Sequence, residues 1–206
     1  MSRFFVYLFV FVFNCNYLFS GSIYDFSING IKLGDSLLKY FSIDEILDGK
    51  TNAYDDSDNY IQISFKQESV QKITSDEIDL NTVSINDTYT FALNTTNDLL
   101  IIDNLTSAKF YDDFKNCDGD KKNYENSLKY IFPQVEPNSY NYTYENLDDG
   151  KSIAYITDFT LNDGTIRLYC INWSKFTEKS RKWKDNLQLD LSTIKFENFL
   201  NSYLEN

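Results

Sequence analysis

A chain of 206 residues has room for one domain of ordinary size, and its 31 acidic against 19 basic residues give a net charge of −12. Such a charge repels nucleic-acid backbones and anionic lipid headgroups, so neither is expected as a partner. The absence of histidine excludes Ser-His-Asp and Cys-His catalysis and most zinc sites, because histidine is the usual base near neutral pH and the commonest transition-metal ligand.

Met1-Ser2-Arg3 carries one positive charge, Phe4 to Val12 runs without a polar side chain except the Tyr7 hydroxyl, and Ser20-Gly21-Ser22 supplies small residues two apart. That is the order of a secretory signal peptide over residues 1–22, cleaved after Ser20 or Ser22. An uncleaved N-terminal membrane anchor is the alternative. A span wants ~20 apolar residues, however, and this run is shorter, with Asn14 and Asn16 inside it. The expectation is a periplasmic or secreted protein whose mature part, residues 23–206, is a single acidic domain or two lobes at about 23–80 and 81–206. Cleavage removes Cys15 and leaves Cys117 and Cys170, an even count in a compartment that permits disulfides, and the two are read as a bridge.

Along the mature chain, Asn29-Gly30-Ile31-Lys32-Leu33-Gly34 is a turn-rich lead-in to a broken helix from 35 to 48, with Leu37, Leu38 and Phe41 as its apolar positions. Ser42-Ile43-Asp44-Glu45 reads as a capping box and Gly49 as the stop. Ala53 to Asn59 is an acidic loop, Tyr60 to Phe65 alternates as a half-buried strand, and a polar stretch runs to Leu80. Val83 to Leu93 and Asp98 to Leu105 read as strands around the turn cluster Asn94-Thr95-Thr96-Asn97. Asp118-Gly119-Asp120 punctuates the chain, after which Tyr124, Leu128, Ile131 and Phe132 give one apolar face to a helix over 120–132 that Pro133 ends. Tyr140 to Tyr144 is extended.

The strongest local signal is Asn162-Asp163-Gly164 between Ser152–Leu161 and Thr165–Trp173. A two-residue Asp-Gly turn predicts pairing of Leu161 with Ile166 and of Phe159 with Leu168. Cys170 then points inward opposite Thr157, and Asp158 and Arg167 share the other face as a diagonal pair. Leu187, Leu189 and Leu191 alternate as a last strand, and Ser192 or Thr193 caps a closing helix with Phe196, Phe199, Leu200, Tyr203 and Leu204 on one side. The fold class is α+β, an antiparallel sheet with helices packed on one face.

Motifs that carry chemistry are few. Asp48-Gly49-Lys50-Thr51 imitates the end of a phosphate-binding loop, but Asp44 stands where its first glycine belongs and a helix precedes it. Ser36-Leu37-Leu38-Lys39 has the Ser-x-x-Lys spacing of penicillin-interacting enzymes without their Ser-Asp-Asn or Lys-Thr-Gly partners. Asp55, Asp56 and Asp58 crowd one loop without the glycine and glutamate of an EF-hand, and Asp118 with Asp120 and Asp148 with Asp149 read as turn residues. Sequons at Asn86, Asn94, Asn104, Asn141 and Asn172 are what an asparagine-rich chain makes by chance. Trp173 and Trp183 lie near Arg181, Lys182 and Lys184, the one basic cluster, which reads as a loop with a snorkelling rim or a patch for a partner.

The order of Gly30-Ile31-Lys32-Leu33-Gly34-Asp35-Ser36-Leu37-Leu38, Cys117 before a helix, Asp163-Gly164 leading to Cys170, and Asp185-Asn186-Leu187 resembles a group of small exported proteins from AT-rich marine bacteria. The bias toward Asn, Lys, Ile, Tyr and Phe, with 7 Gly and 2 Pro, suits such a source. The resemblance implies a bacterial periplasmic setting and no particular activity. The expected function is a non-catalytic interaction or ligand-binding module for an unidentified protein or small molecule, with no cofactor and no metal. The alternative is a small periplasmic hydrolase using carboxylates or Ser36 with Lys39.

Overall fold

The computed structural model describes residues 21–54, 57, 59–70, 82–83, 87–96 and 98–204. The expected signal segment to Ser20 and the Asp55, Asp56 and Asp58 cluster lie outside them. In chain order the described residues form β1 (Ser27–Ile28), β2 (Ile31–Lys32), α1 (Ile43–Asp48), β3 (Tyr60–Lys66), α2 (Gln67–Val70), β4 (Thr82–Val83), β5 (Thr88–Asn94) and β6 (Ile101–Tyr111). They continue as α3 (Phe114–Ile131), β7 (Asn138–Thr143), β8 (Ile153–Thr160), β9 (Gly164–Asn172), α4 (Lys175–Arg181), β10 (Asp185–Thr193) and α5 (Ile194–Leu204). Seven strands make one antiparallel sheet in the order β3-β5-β6-β10-β9-β8-β7, and β2-β1-β4 make a small second sheet.

Strand alternation separates two chemistries, because successive side chains leave a strand on opposite faces. Leu187, Leu189 and Leu191 of β10 point to a front face shared with Ile166, Leu168, Phe91 and Ile63, all fully buried. Ile23, Phe26, Ile28, Leu37 and Phe41 from the N-terminal segment close the same core. Helix α3 lies over this face with Cys117 and Leu128 buried and Tyr124 and Ile131 packed against the core. Helix α5 takes the back: Phe196 is buried against Tyr60 and Ala92, which alternate away from Ile63 and Phe91. The expected α+β class, an antiparallel sheet with helices packed against it, is therefore present. The expected packing on one face is corrected: among the described residues α3 and α5 take opposite faces, because Tyr60 and Ala92 give the back an apolar patch of its own.

Several boundaries follow from local chemistry. The Ser42 hydroxyl accepts from the Glu45 amide while the Glu45 carboxylate accepts from the Ser42 amide at 2.9 Å, so the expected capping box starts α1. Thr193 Oγ1 accepts from the Phe196 amide at 3.2 Å and starts α5. Helix α3 begins at Phe114, six residues before the expected start, with Asp113 accepting from the Lys115 amide. Asp118-Gly119-Asp120 is thus helical rather than a break. A mid-helix glycine costs ~1 kcal/mol, and Cys117 burial together with Asp120, which accepts from Lys109 Nζ at 2.8 Å and Tyr111 OH at 2.7 Å, offsets it.

The β8–β9 connection differs from the expected two-residue turn. Phe159 pairs with Ile166 and Asp158 stands directly opposite Arg167, a register two residues from the expected one, so every side chain keeps its face. The cause is tertiary. A Cβ at Gly164 would stand 2.2 Å from the Ser192 carbonyl oxygen, so glycine here permits close approach of β9 to β10 and keeps an ordinary φ. Asp163 is occupied by the N-terminal segment, with Oδ2 accepting from Ser22 Oγ at 2.6 Å and Oδ1 from the Ile23 amide at 3.1 Å.

Cys117 of α3 and Cys170 of β9 stand with their Cα atoms 5.9 Å apart and their sulfurs at bonding distance. A bridge closes a loop of 53 residues, for which chain entropy gives a ceiling of about 4 kcal/mol. Beside it, Lys121 Nζ donates to Thr157 Oγ1 at 2.6 Å, and Thr157 Oγ1 donates to Glu125 Oε1 at 2.6 Å. Lys121 also pairs directly with Glu125. Burial raises the Glu125 carboxyl pKa, but the hydrogen bonds from Lys121 and Thr157 outweigh it and leave the group below its ordinary 4.5.

Two outcomes are expected. Thiol titration of unreduced, denatured protein spanning residues 21–206 finds no free thiol, and Cys170→Ser lowers the unfolding midpoint without changing the fold; two titratable thiols would remove the bridge. A depressed folded-state carboxyl stabilises fully above the unfolded value and loses that contribution as pH falls through the folded one. Urea midpoints measured from pH 7 to pH 3 should therefore fall below about pH 4.5, and Glu125→Gln, less stable at pH 7, should converge with the parent in acid. A constant difference across that range would assign the acid sensitivity elsewhere.

Candidate ligand-binding recess

The back of the sheet is polar through its middle. Asp158, Arg167, Asp190, Thr106 and Thr90 are successive cross-strand partners on β8, β9, β10, β6 and β5. Arg167 forks onto Asp158, Nε to Oδ1 at 2.6 Å and Nη2 to Oδ2 at 3.0 Å, and its Nη1 donates to Tyr169 OH at 3.3 Å. Asp190 Oδ1 accepts from Asn104 Nδ2 at 2.8 Å and Thr106 Oγ1 at 2.6 Å, and Oδ2 accepts from Ser192 Oγ at 3.1 Å. Burial opposes the Arg167 charge, but Asp158 and Tyr169 outweigh it and hold the guanidinium pKa above its usual value. Burial, with the Asp190 carboxylate adding to it, pushes the Tyr169 hydroxyl upward. Among the described residues no buried side-chain nitrogen or oxygen lacks a partner. This row is a saturated network that fixes charges in place, and it presents no idle acid or base.

At one end of the same face the chemistry changes. Asn186 of β10 pairs across with Phe110 of β6 on one side and Ile171 of β9 on the other, which fixes the floor. Strand β9 leaves the sheet at Trp173, whose amide donates to Asp185 Oδ1 at 2.8 Å. Burial leads the causes that raise the Asp185 carboxyl pKa, and this amide opposes it. Ser174 then caps α4: its Oγ accepts from the Thr177 amide at 3.2 Å and donates to Asp149 Oδ1 at 2.6 Å. The helix ends at Lys182 in the left-handed conformation, φ 61° and ψ 25°. That reversal lays Trp183 against Trp173, ring centroids 4.7 Å apart and planes tilted by 54°. Arg181 covers Trp183 at 5.1 Å and is held by Asp148 at 2.8 Å.

Phe110, Trp173, Lys182, Trp183, Lys184 and Asn186 line the resulting recess, which has a volume of about 520 Å³, within the ~300–1,000 Å³ typical of small-molecule sites. Tyr144 packs on Trp173 at 5.2 Å and Tyr142 on Tyr144 at 5.0 Å, extending the aromatic surface to the edge strand β7. The basic and tryptophan cluster seen in the sequence is thus brought together in space, and Phe110 and Asn186 join it through strand pairing. Helix α4 had no sequence signal beyond Ser174 as a cap, because Phe176 is its one apolar side chain and stands 58% exposed.

Of the other sequence candidates, Asp148 and Asp149 hold Arg181 and Ser174 beside the recess, whereas Ser36, Lys39 and Gly49 do not line it. Ser36 Oγ donates to the Leu99 carbonyl and accepts from the Leu38 amide, while Lys39 Nζ pairs with Asp35 at 3.2 Å. The serine proton therefore points to a backbone oxygen and not to the lysine. Gly49 ends α1 and Thr51 Oγ1 donates to Gln62 Oε1 at 2.7 Å, leaving no phosphate nest. Of the sequon asparagines, Asn94 and Asn104 are buried in side-chain hydrogen bonds, Asn141 is exposed on β7, Asn172 is half-buried, and Asn86 lies outside the described residues.

No protein-family model matches the chain, and no curated protein and no solved structure is detectably similar to it.

Proposed function

We propose that the chain is an exported, non-catalytic binding protein whose ligand seats in the recess formed by Phe110, Trp173 and Trp183. The observation that carries this reading is the exposure of large aromatic rings around one cavity: Phe110 is 43% and Trp183 39% exposed. Apolar area left in water at a built concavity is what a ligand would cover, at ~25 cal/mol per Å² of apolar surface removed from water. The saturated polar row beside it and the backbone-bound Ser36 support binding over hydrolysis. Export is supported by the charged and apolar N-terminal pattern, by the small residues at 20–22 and by the paired cysteines.

Binding has a built-in reporter, since Trp173 and Trp183 are the two tryptophans of the chain. Titration with 1-anilinonaphthalene-8-sulfonate is expected to show saturable, one-site energy transfer from tryptophan to dye, strongly weakened in Trp183→Ala. Unsaturable transfer, or transfer indifferent to Trp183, would remove the recess as the site. For export, mass spectrometry of protein recovered from the periplasm of a bacterial host should give a chain beginning at Gly21 or Ile23. Intact Met1 in the membrane fraction would mean an anchor.

A further inference from the structure

We infer that the recess takes a flat aromatic molecule bearing an anionic group, with Lys182 as the charge partner. This rests on the binding reading above and adds the class of ligand.

The walls favour a flat ring. Phe110, Trp173 and Trp183 contribute three aromatic surfaces around one volume, and aromatic pairs prefer offset or edge-to-face contact, which a planar ligand can make with several walls at once. Arg181 already covers Trp183 in a cation–π contact while Asp148 holds its guanidinium, so it acts as a brace for the ring.

The charge follows from what the three neighbouring cations do. Arg181 is paired with Asp148 at 2.8 Å and Lys184 with Asp112 at 2.8 Å. Lys182 makes no ion pair among the described residues, and it lines the recess. Its backbone adds a second observation. Lys182 occupies the left-handed position that ends a helix, where glycine is the low-cost residue and a side chain is strained. Strain of this kind clusters at ligand clamps. In a chain of net charge −12 an anion is repelled over most of the surface, and a lone ammonium beside desolvating aromatic walls gives it one favourable place.

Calorimetry on the oxidised mature protein, with 2-naphthoate and its neutral isostere 2-naphthamide as probes, tests this directly. The acid is expected to bind one-to-one and at least tenfold tighter than the amide, with the preference shrinking in high salt. Lys182→Gly should fold at least as stably as the parent, because it relieves the left-handed strain, and should bind both probes equally at the amide's affinity. Lys182→Gln should show the same loss of preference, and Trp183→Ala should weaken both probes. If the amide binds as tightly as the acid, or the preference survives in both Lys182 variants, the anionic assignment is wrong while the binding site stands. If neither probe binds the parent protein, the binding reading fails with it.

Discussion

Strand β10 is held on both sides, by eight residue pairs with β6 and eight with β9, and this double pairing fixes which way each of its side chains points. A one-residue slip would send Leu187, Leu189 and Leu191 to the polar face and Gln188 and Asp190 into the core. Each buried leucine contributes ~1.5–3 kcal/mol of transfer free energy, and Asp190 would lose three hydrogen bonds. The register of β10 is therefore selected from both faces at once. The front core, the bridge between Cys117 and Cys170, the polar row and the recess floor at Asn186 all inherit their positions from it.

The two faces then do different jobs. On the front, α3 seals a dry layer to which it is tied by Cys117 and by the Lys121, Glu125 and Thr157 cluster. The N-terminal segment completes that layer, and Asp163 holds it by its backbone and by Ser22. On the back, α5 packs through Phe196 on Tyr54, Tyr60 and Ala92 and also touches β6, β10 and β9. The aromatic end is left to α4 and its return at Trp183. A rigid sheet with one uncovered, aromatic-walled corner is a suitable scaffold for binding, since the floor residues are fixed by strand pairing and only the short return needs to adapt.

Much of this was legible because it is local. The capping box at Ser42 and Glu45 needs three residues of context, the closing helix declares itself in Phe196, Phe199, Leu200 and Tyr203, and alternation from Ser152 to Trp173 marks two strands. What was not legible depends on distant partners. The β8–β9 register is decided by Gly164 meeting Ser192 and by Asp163 meeting Ser22, 141 residues away in sequence. The early start of α3 rests on Cys117 reaching β9, and the burial of Asp190 depends on β6 supplying Asn104 and Thr106. The tryptophans and lysines were visible as a cluster from 173 to 184, but Phe110 joins them only through its pairing with Asn186.

Amide hydrogen exchange by NMR on the oxidised protein tests the primacy of β10 most directly. Amides from Leu187 to Leu191, together with their partners on β6 and β9, should be the slowest in the chain and exchange only through global unfolding, with the amides of edge strand β7 exchanging through smaller openings. Exchange of β10 amides as fast as those of β7, or at a free energy well below that of global unfolding, would contradict the account.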